Sequence, residues 1–146
     1  MVSSEPSPAV SWETFPHGAD VGVRGYGATI AEAFENAALA LTSVITDPAL
    51  VWPIQRFDIV CEASDREILF LDWLNTLIST MATEEVLFGR YEAKIRDDRL
   101  TGAAFGEPID PARHAPAVEV KGATFTELEV RRDPDGRWRA QCVVDV

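Results

Sequence analysis

Arg137-Trp-Arg-Ala-Gln-Cys-Val-Val-Asp-Val146 alternates apolar and polar residues directly after Asp133-Pro-Asp-Gly136, a cluster of turn formers. Alternation of period two is the signature of a half-buried strand. The pattern predicts Trp138, Ala140, Cys142, Val144 and Val146 facing inward, with Arg137, Arg139, Gln141 and Asp145 outward. The turn chemistry makes the strand one arm of a hairpin with the segment before it. The sequence stops inside this strand. The reading therefore expects two carboxylates at a fixed spot, the Asp145 side chain and the Val146 α-carboxylate. Two such groups repel unless a cation or hydrogen-bond donors lie between them.

Upstream, Val118 to Arg131 reads as a long strand, bulged at Gly122. Val86 to Ile95 and Arg99 to Phe105 read as strands joined at Asp97-Asp98, and Gly106 to Pro116 as a polar loop. Ser64-Asp-Arg-Glu67 has the form of a capping box, opening a helix to about Ala82 that is apolar nearly all round. Such a helix is buried on most sides. Asp72 and Asn75 interrupt it on one face. Val51 to Ala63 reads as a strand with an edge character at Pro53. Thr29-Ile-Ala-Glu32 opens an earlier helix that stops before Asp47-Pro48. Val21 to Gly27 is a strand whose glycines predict a bulge or a close backbone approach. Ser11 to Phe15 is a short strand, followed by a loop over residues 16–20. Two helices among many strands with short connections specify an α+β domain, its helices packed on a largely antiparallel multi-stranded sheet. Residues 1–10 are Ser/Pro-rich and read as a flexible tail ahead of one domain over 11–146.

The formal net charge of -11 lacks the electrostatic footprint of a nucleic-acid binder. It suits docking on a basic protein, or holding cations. No apolar stretch is long enough to span a membrane and no signal peptide is visible. The reading expects a cytoplasmic chain. Cys61 and Cys142 fit no metal spacing and read as buried free thiols. Phosphate loops, dinucleotide glycine fingerprints and nucleophile elbows are missing.

Asp20 lies at the mouth of a strand between glycines. It reads either as an oxygen ligand for a hard cation, with Asp145 and Val146 as partners, or as an Asp capping a turn. Asp72 reads as a site carboxylate paired with Lys121, Arg113 or His114, or as part of a solvated stripe. His17 and His114 both fall in loops, where functional groups concentrate but where exposed histidines are also common. Glu107, Asp110 and Arg113 read mainly as a solvated loop.

Several pieces, in order, resemble the archease family. They are Phe15-Pro-His-Gly-Ala-Asp-Val-Gly22, Ala31-Glu-Ala-Phe-Glu-Asn-Ala-Ala38, Leu71-Asp-Trp-Leu-Asn75, Gly106-Glu-Pro-Ile-Asp110 with Arg113-His114, Val120-Lys121 with Ala123-Thr124, Leu128-Glu-Val130 and Val144-Asp-Val146. Gly18 stands where the family commonly has Thr. The resemblance implies a non-catalytic protein cofactor of an RtcB-type GTP-dependent RNA ligase. Such a cofactor promotes guanylation and multiple turnover in tRNA splicing and RNA repair. It also implies a divalent cation, usually calcium, at Asp20, Asp145 and Val146; His17, Asp72, Lys121 and His114 stand as candidate partner-interface or site-support residues, with Asp72, Lys121 and His114 open between site, interface and fold. Two rival expectations are a stand-alone metal-dependent phosphoester hydrolase and a chaperone-like scaffold.

Overall fold

The computed structural model describes residues 10–146. The expected tail lies, except for Val10, outside them. In chain order the elements are β1 (Trp12–His17), β2 (Asp20–Gly27), α1 (Ile30–Ile45), a single 3-10 turn (Pro48–Leu50), β3 (Gln55–Glu62), α2 (Arg66–Glu84), β4 (Val86–Arg96), β5 (Arg99–Pro108), α3 (Pro111–His114), β6 (Gly122–Ala123), β7 (Glu129–Arg132) and β8 (Trp138–Asp145).

The fold is α+β and every strand pairing is antiparallel, as expected, but the strands form two sheets rather than one. One sheet runs β1-β2-β8-β6, with β7 also on β8. The other runs β3-β5-β4. Helices α1 and α2 each touch both sheets. That explains why α2 is apolar nearly all round: Leu69, Phe70, Trp73, Leu74 and Leu77 must face two layers at once. Trp73 is fully buried and its indole N–H donates to the Phe34 carbonyl at 3.0 Å, so α2 is tied to the N-terminal half of α1.

Helix α1 begins as its sequence predicts. Thr29 is the N-cap, its hydroxyl accepting from the Glu32 N–H at 3.1 Å. Helix α2 starts one residue later than the predicted box. Asp65, not Ser64, caps it, because its carboxylate accepts from both Glu67 and Ile68 N–H. Glu67 is then free to accept from the Val130 N–H at 3.2 Å and pin β7. The glycines of β2 mark a close approach. A Cβ on Gly25 would lie 2.1 Å from the Ala37 backbone nitrogen, so α1 rests directly on the strand backbone.

Two expectations about the last strands need correction. Val118–Arg131 is not one long strand; it breaks into β6 and β7. The Thr124 hydroxyl donates to the Val143 carbonyl and accepts from the Thr126 N–H, curling the chain, and Glu127 takes φ 56° before pairing resumes. Strand β8 is not half-buried, since Gln141 and Val143 on its outer face are also buried. As an inner strand, β8 is covered by neighbours on both sides. The Gln141 carbonyl oxygen accepts from Arg24 Nε and Arg139 Nη1, both at 2.8 Å, and its amide donates to the Glu127 carbonyl. Burial is tolerated because each polar atom has a partner.

Candidate functional site

The first hairpin is tighter than the expected 16–20 loop. Pro16 and His17 belong to β1, and His17 pairs with Asp20 across a two-residue turn. Gly18 there adopts φ +59°, with nothing within 4 Å of where a Cβ would sit. The glycine thus serves the turn's backbone angle rather than its space. The register Val21↔Val144 continues to set Asp20 beside Asp145 on neighbouring strands. Asp145 pairs on its other side with Gly122. His17, Asp20 and Asp145 therefore form one row across the outer face of the sheet, because directly opposed residues share a face. The Val146 N–H donates a long hydrogen bond to Asp20 Oδ1 at 3.4 Å. Two segments far apart in sequence, residues 17–20 and 145–146, meet at one sheet end.

The row has a brace that the sequence reading did not identify. Asn75, on the polar stripe of α2, grips the Ala123 backbone at both ends: its Oδ1 accepts from the Ala123 N–H at 2.8 Å and its Nδ2 donates to the Ala123 carbonyl at 3.3 Å. Ala123 is in turn paired with Val144, and the Lys121 N–H donates to the Asp145 carbonyl at 2.8 Å. Helix α2 thereby holds the short β6 against the strand that carries Asp145. The visible signal was an amide breaking an apolar helix. Its target, 48 residues away, was not visible.

The other candidates fall elsewhere. Asp72 has no ion-pair partner among the described residues. It lines an open groove with Asn75, Thr76, Ser79 and Cys61. Arg113 and His114 bind Glu107 instead of Asp72. Glu107 and His114, read as loop residues, are buried. Glu107 sits in β5 and His114 in α3. Glu107 accepts from Arg113, from His114 Nε2 and from the Trp52 N–H, and the Arg113 guanidinium holds its carboxyl down at about 2. The Asp110 N–H donates to His114 Nδ1 at 2.8 Å, so the ring carries its proton on Nε2, facing the carboxylate. Every buried polar atom in this hub is satisfied, which makes it a structural lock. Cys61 and Cys142 are free and buried, as expected, and burial pushes the Cys142 thiol up to about 12.

Chemically, the sheet end offers oxygen donors: the carboxylates of Asp20 and Asp145 and the main-chain oxygens of Val146. Oxygen donors are the ligands that hard divalent cations such as calcium and magnesium accept. Among the described residues no three His, Cys, Asp or Glu side chains converge on a cation position. No helix is long and apolar enough to cross a membrane.

Comparison with known proteins is consistent across the chain. Residues 12–146 match the archease protein family. The protein archease of Pyrococcus furiosus is 42% identical over 92% of this chain and 98% of its own length. That of Methanosarcina acetivorans is 34% identical over 97% of this chain and 99% of its own length. The solution structure of protein 1598 from Methanobacterium thermoautotrophicum superposes with TM-score 0.81 at 38% identity, covering 93% of this chain and 99% of that one. A Thermotoga maritima crystal structure, described as an archease and possible chaperone, gives TM-score 0.62 at 17% identity over 99% of this chain and shares the fold.

Proposed function

Because this chain belongs to the archease protein family, we propose that it is a non-catalytic activator of an RtcB-type GTP-dependent RNA ligase, working in the cytoplasm in tRNA splicing and RNA repair. It promotes guanylation of the ligase and repeated turnover. A divalent cation, calcium, is held by Asp20, Asp145 and Val146. The observation that carries the reading is the row of Asp20 and Asp145 on adjacent strands, with the Val146 N–H reaching Asp20. Carboxylates at directly opposed positions on adjacent strands repel unless a cation or hydrogen-bond donors lie between them. The cation offsets that repulsion; the protein supplies the fixed oxygens and leaves the rest of the coordination shell to solvent or the partner. Exposed Lys121 and His17 flank the row. The net charge of -11 steers the protein to a basic RNA-binding partner and away from RNA itself.

The test is to follow guanylation of the purified ligase with and without this protein. Wild type accelerates it, and Asp20→Ala or Asp145→Ala does so weakly. Full stimulation by both variants sinks the metal-site reading, and no stimulation by wild type sinks the activator reading. A second reading, a chaperone-like scaffold, is favoured by Trp52, Ile54 and Phe125, each more than half exposed. It predicts suppressed aggregation of unrelated clients, unaffected by Asp145→Ala.

A further inference from the structure

We infer that the apolar end of the molecule, built from Leu50, Trp52, Ile109 and Val118, is a docking face for a partner-protein segment that presents apolar side chains among lysines and arginines. The inference rests on the activator reading, which requires a protein partner, and goes beyond it by assigning the face. Among the described residues eight large hydrophobic side chains are exposed, and these four are among them. Arg113 brings three of them to one end of the molecule, since it reaches Leu50 and Trp52 and pairs at 3.8 Å with Asp110, the neighbour of Ile109. Arg113 Nη1 donates to the Leu50 carbonyl at 2.7 Å, its guanidinium lies 4.1 Å over the Trp52 ring, and the Ile109 N–H donates to the Glu85 carbonyl. Ile109 and Val118 form the walls of a cavity of about 280 Å³ floored by Ile45 and Met81. That is small for a cofactor, but suited to an anchoring side chain.

Trp52 is set before any partner arrives. Its backbone N–H donates to Glu107 Oε2 at 2.6 Å, and the Arg113 guanidinium lies over its ring. A tryptophan already held in place loses little freedom on binding, and Trp and Arg are the residues that most often dominate interfaces. Charge selects the partner. In the segments 47–54, 82–85 and 109–119 that frame the face, the acids besides buried Glu107's lock are Asp47, Glu84, Glu85, Asp110 and Glu119, all exposed. The one arginine there, Arg113, is committed to Glu107. A second copy of this chain would set acid against acid, whereas a basic segment is complementary. The face also abuts the carboxylate row. Val120 lines the cavity, and the next residue, Lys121, donates its N–H to the Asp145 carbonyl.

Binding of the purified RtcB-type ligase is to be measured by titration calorimetry for wild type, Trp52→Ala, Ile109→Ser and the double variant Glu85→Lys/Glu119→Lys, with Arg99→Ala, at the opposite end of β5 from Glu107, as control. Thermal melts check that each variant folds. The first two should weaken binding about 10-fold or more. The charge reversal should weaken it at low salt and much less at high salt, and Arg99→Ala should not change it. Wild-type binding that all face variants retain within about twofold overturns the inference while leaving the activator reading standing. Failure of wild type to bind removes both. Concentration-dependent dimerisation abolished by Trp52→Ala overturns the assigned occupant in favour of a second copy.

Discussion

Removing the Asn75 amide should loosen the sheet end that carries Asp145. The Asn75→Ala variant loses both hydrogen bonds to Ala123, one at 2.8 Å and one at 3.3 Å, and leaves a half-buried backbone N–H without its acceptor. A net hydrogen bond contributes about 0.5–1.5 kcal/mol, and an orphaned partner adds a desolvation cost of about 1–3 kcal/mol if water cannot reach it. Ala123 is only half-buried, so water recovers part of the loss, and the expected destabilisation is about 2 kcal/mol. Strand β6 is two residues long, and besides this clamp it is held by its pairing with β8, the flanking backbone bonds and the packing of Ala123 on the core. The loss should therefore be local. Urea unfolding should show a lower midpoint with unchanged slope. Amide exchange at Gly122 and Ala123 should quicken more than at the core of α2, and calcium affinity at the proposed Asp20, Asp145 and Val146 site should fall although none of those residues was altered. The conservative Asn75→Asp keeps the acceptor for the Ala123 N–H and sets a second carboxylate oxygen against its carbonyl, so it should rescue stability only in part. A destabilisation below about 0.5 kcal/mol, or exchange that quickens equally everywhere, refutes the clamp.

Two further predictions concern the scaffold. Glu107 titrates at about 2 in the folded chain against an ordinary 4.5, so its contribution to stability is complete above 4.5 and drains away as the pH falls toward 2. Stability measured by denaturant between those limits should fall with acid, and Glu107→Gln should flatten that part of the curve; an unchanged slope rules out this source. Gly25→Ala would drive a Cβ to 2.1 Å from the Ala37 nitrogen and 2.2 Å from the Ala33 carbonyl oxygen, both backbone, so it should cost about 3 kcal/mol or more. Gly18→Ala, where only the φ of +59° resists, should cost roughly 1–2 kcal/mol, and equal melting temperatures for the two variants would contradict the assignment.

Much of the fold was legible from local pattern. The 3.6-residue spacing from Ile30 to Ile45 and the all-round apolarity of Leu69 to Met81 announce their helices, and period two announces β8, because each is written in neighbouring residues. The break between β6 and β7 was not legible, since it depends on Thr124 and Asn75 finding partners across the fold. Neither was the burial of Gln141 and Val143, because alternation reports one covered face and cannot count the strands on either side. Glu107 reads as a polar loop residue until Arg113, His114 and the Trp52 N–H converge on it.

The sequence by itself determined the residue types at the sheet end, the acidic charge and the motifs that resemble the archease family. Tertiary structure alone decided that Asp20 and Asp145 stand side by side, because β2–β8 register is a long-range pairing set by the packing of Val23, Cys142 and Val144 into the core. A one-residue slip would leave every amino acid in place and turn one of those carboxylates to the opposite face.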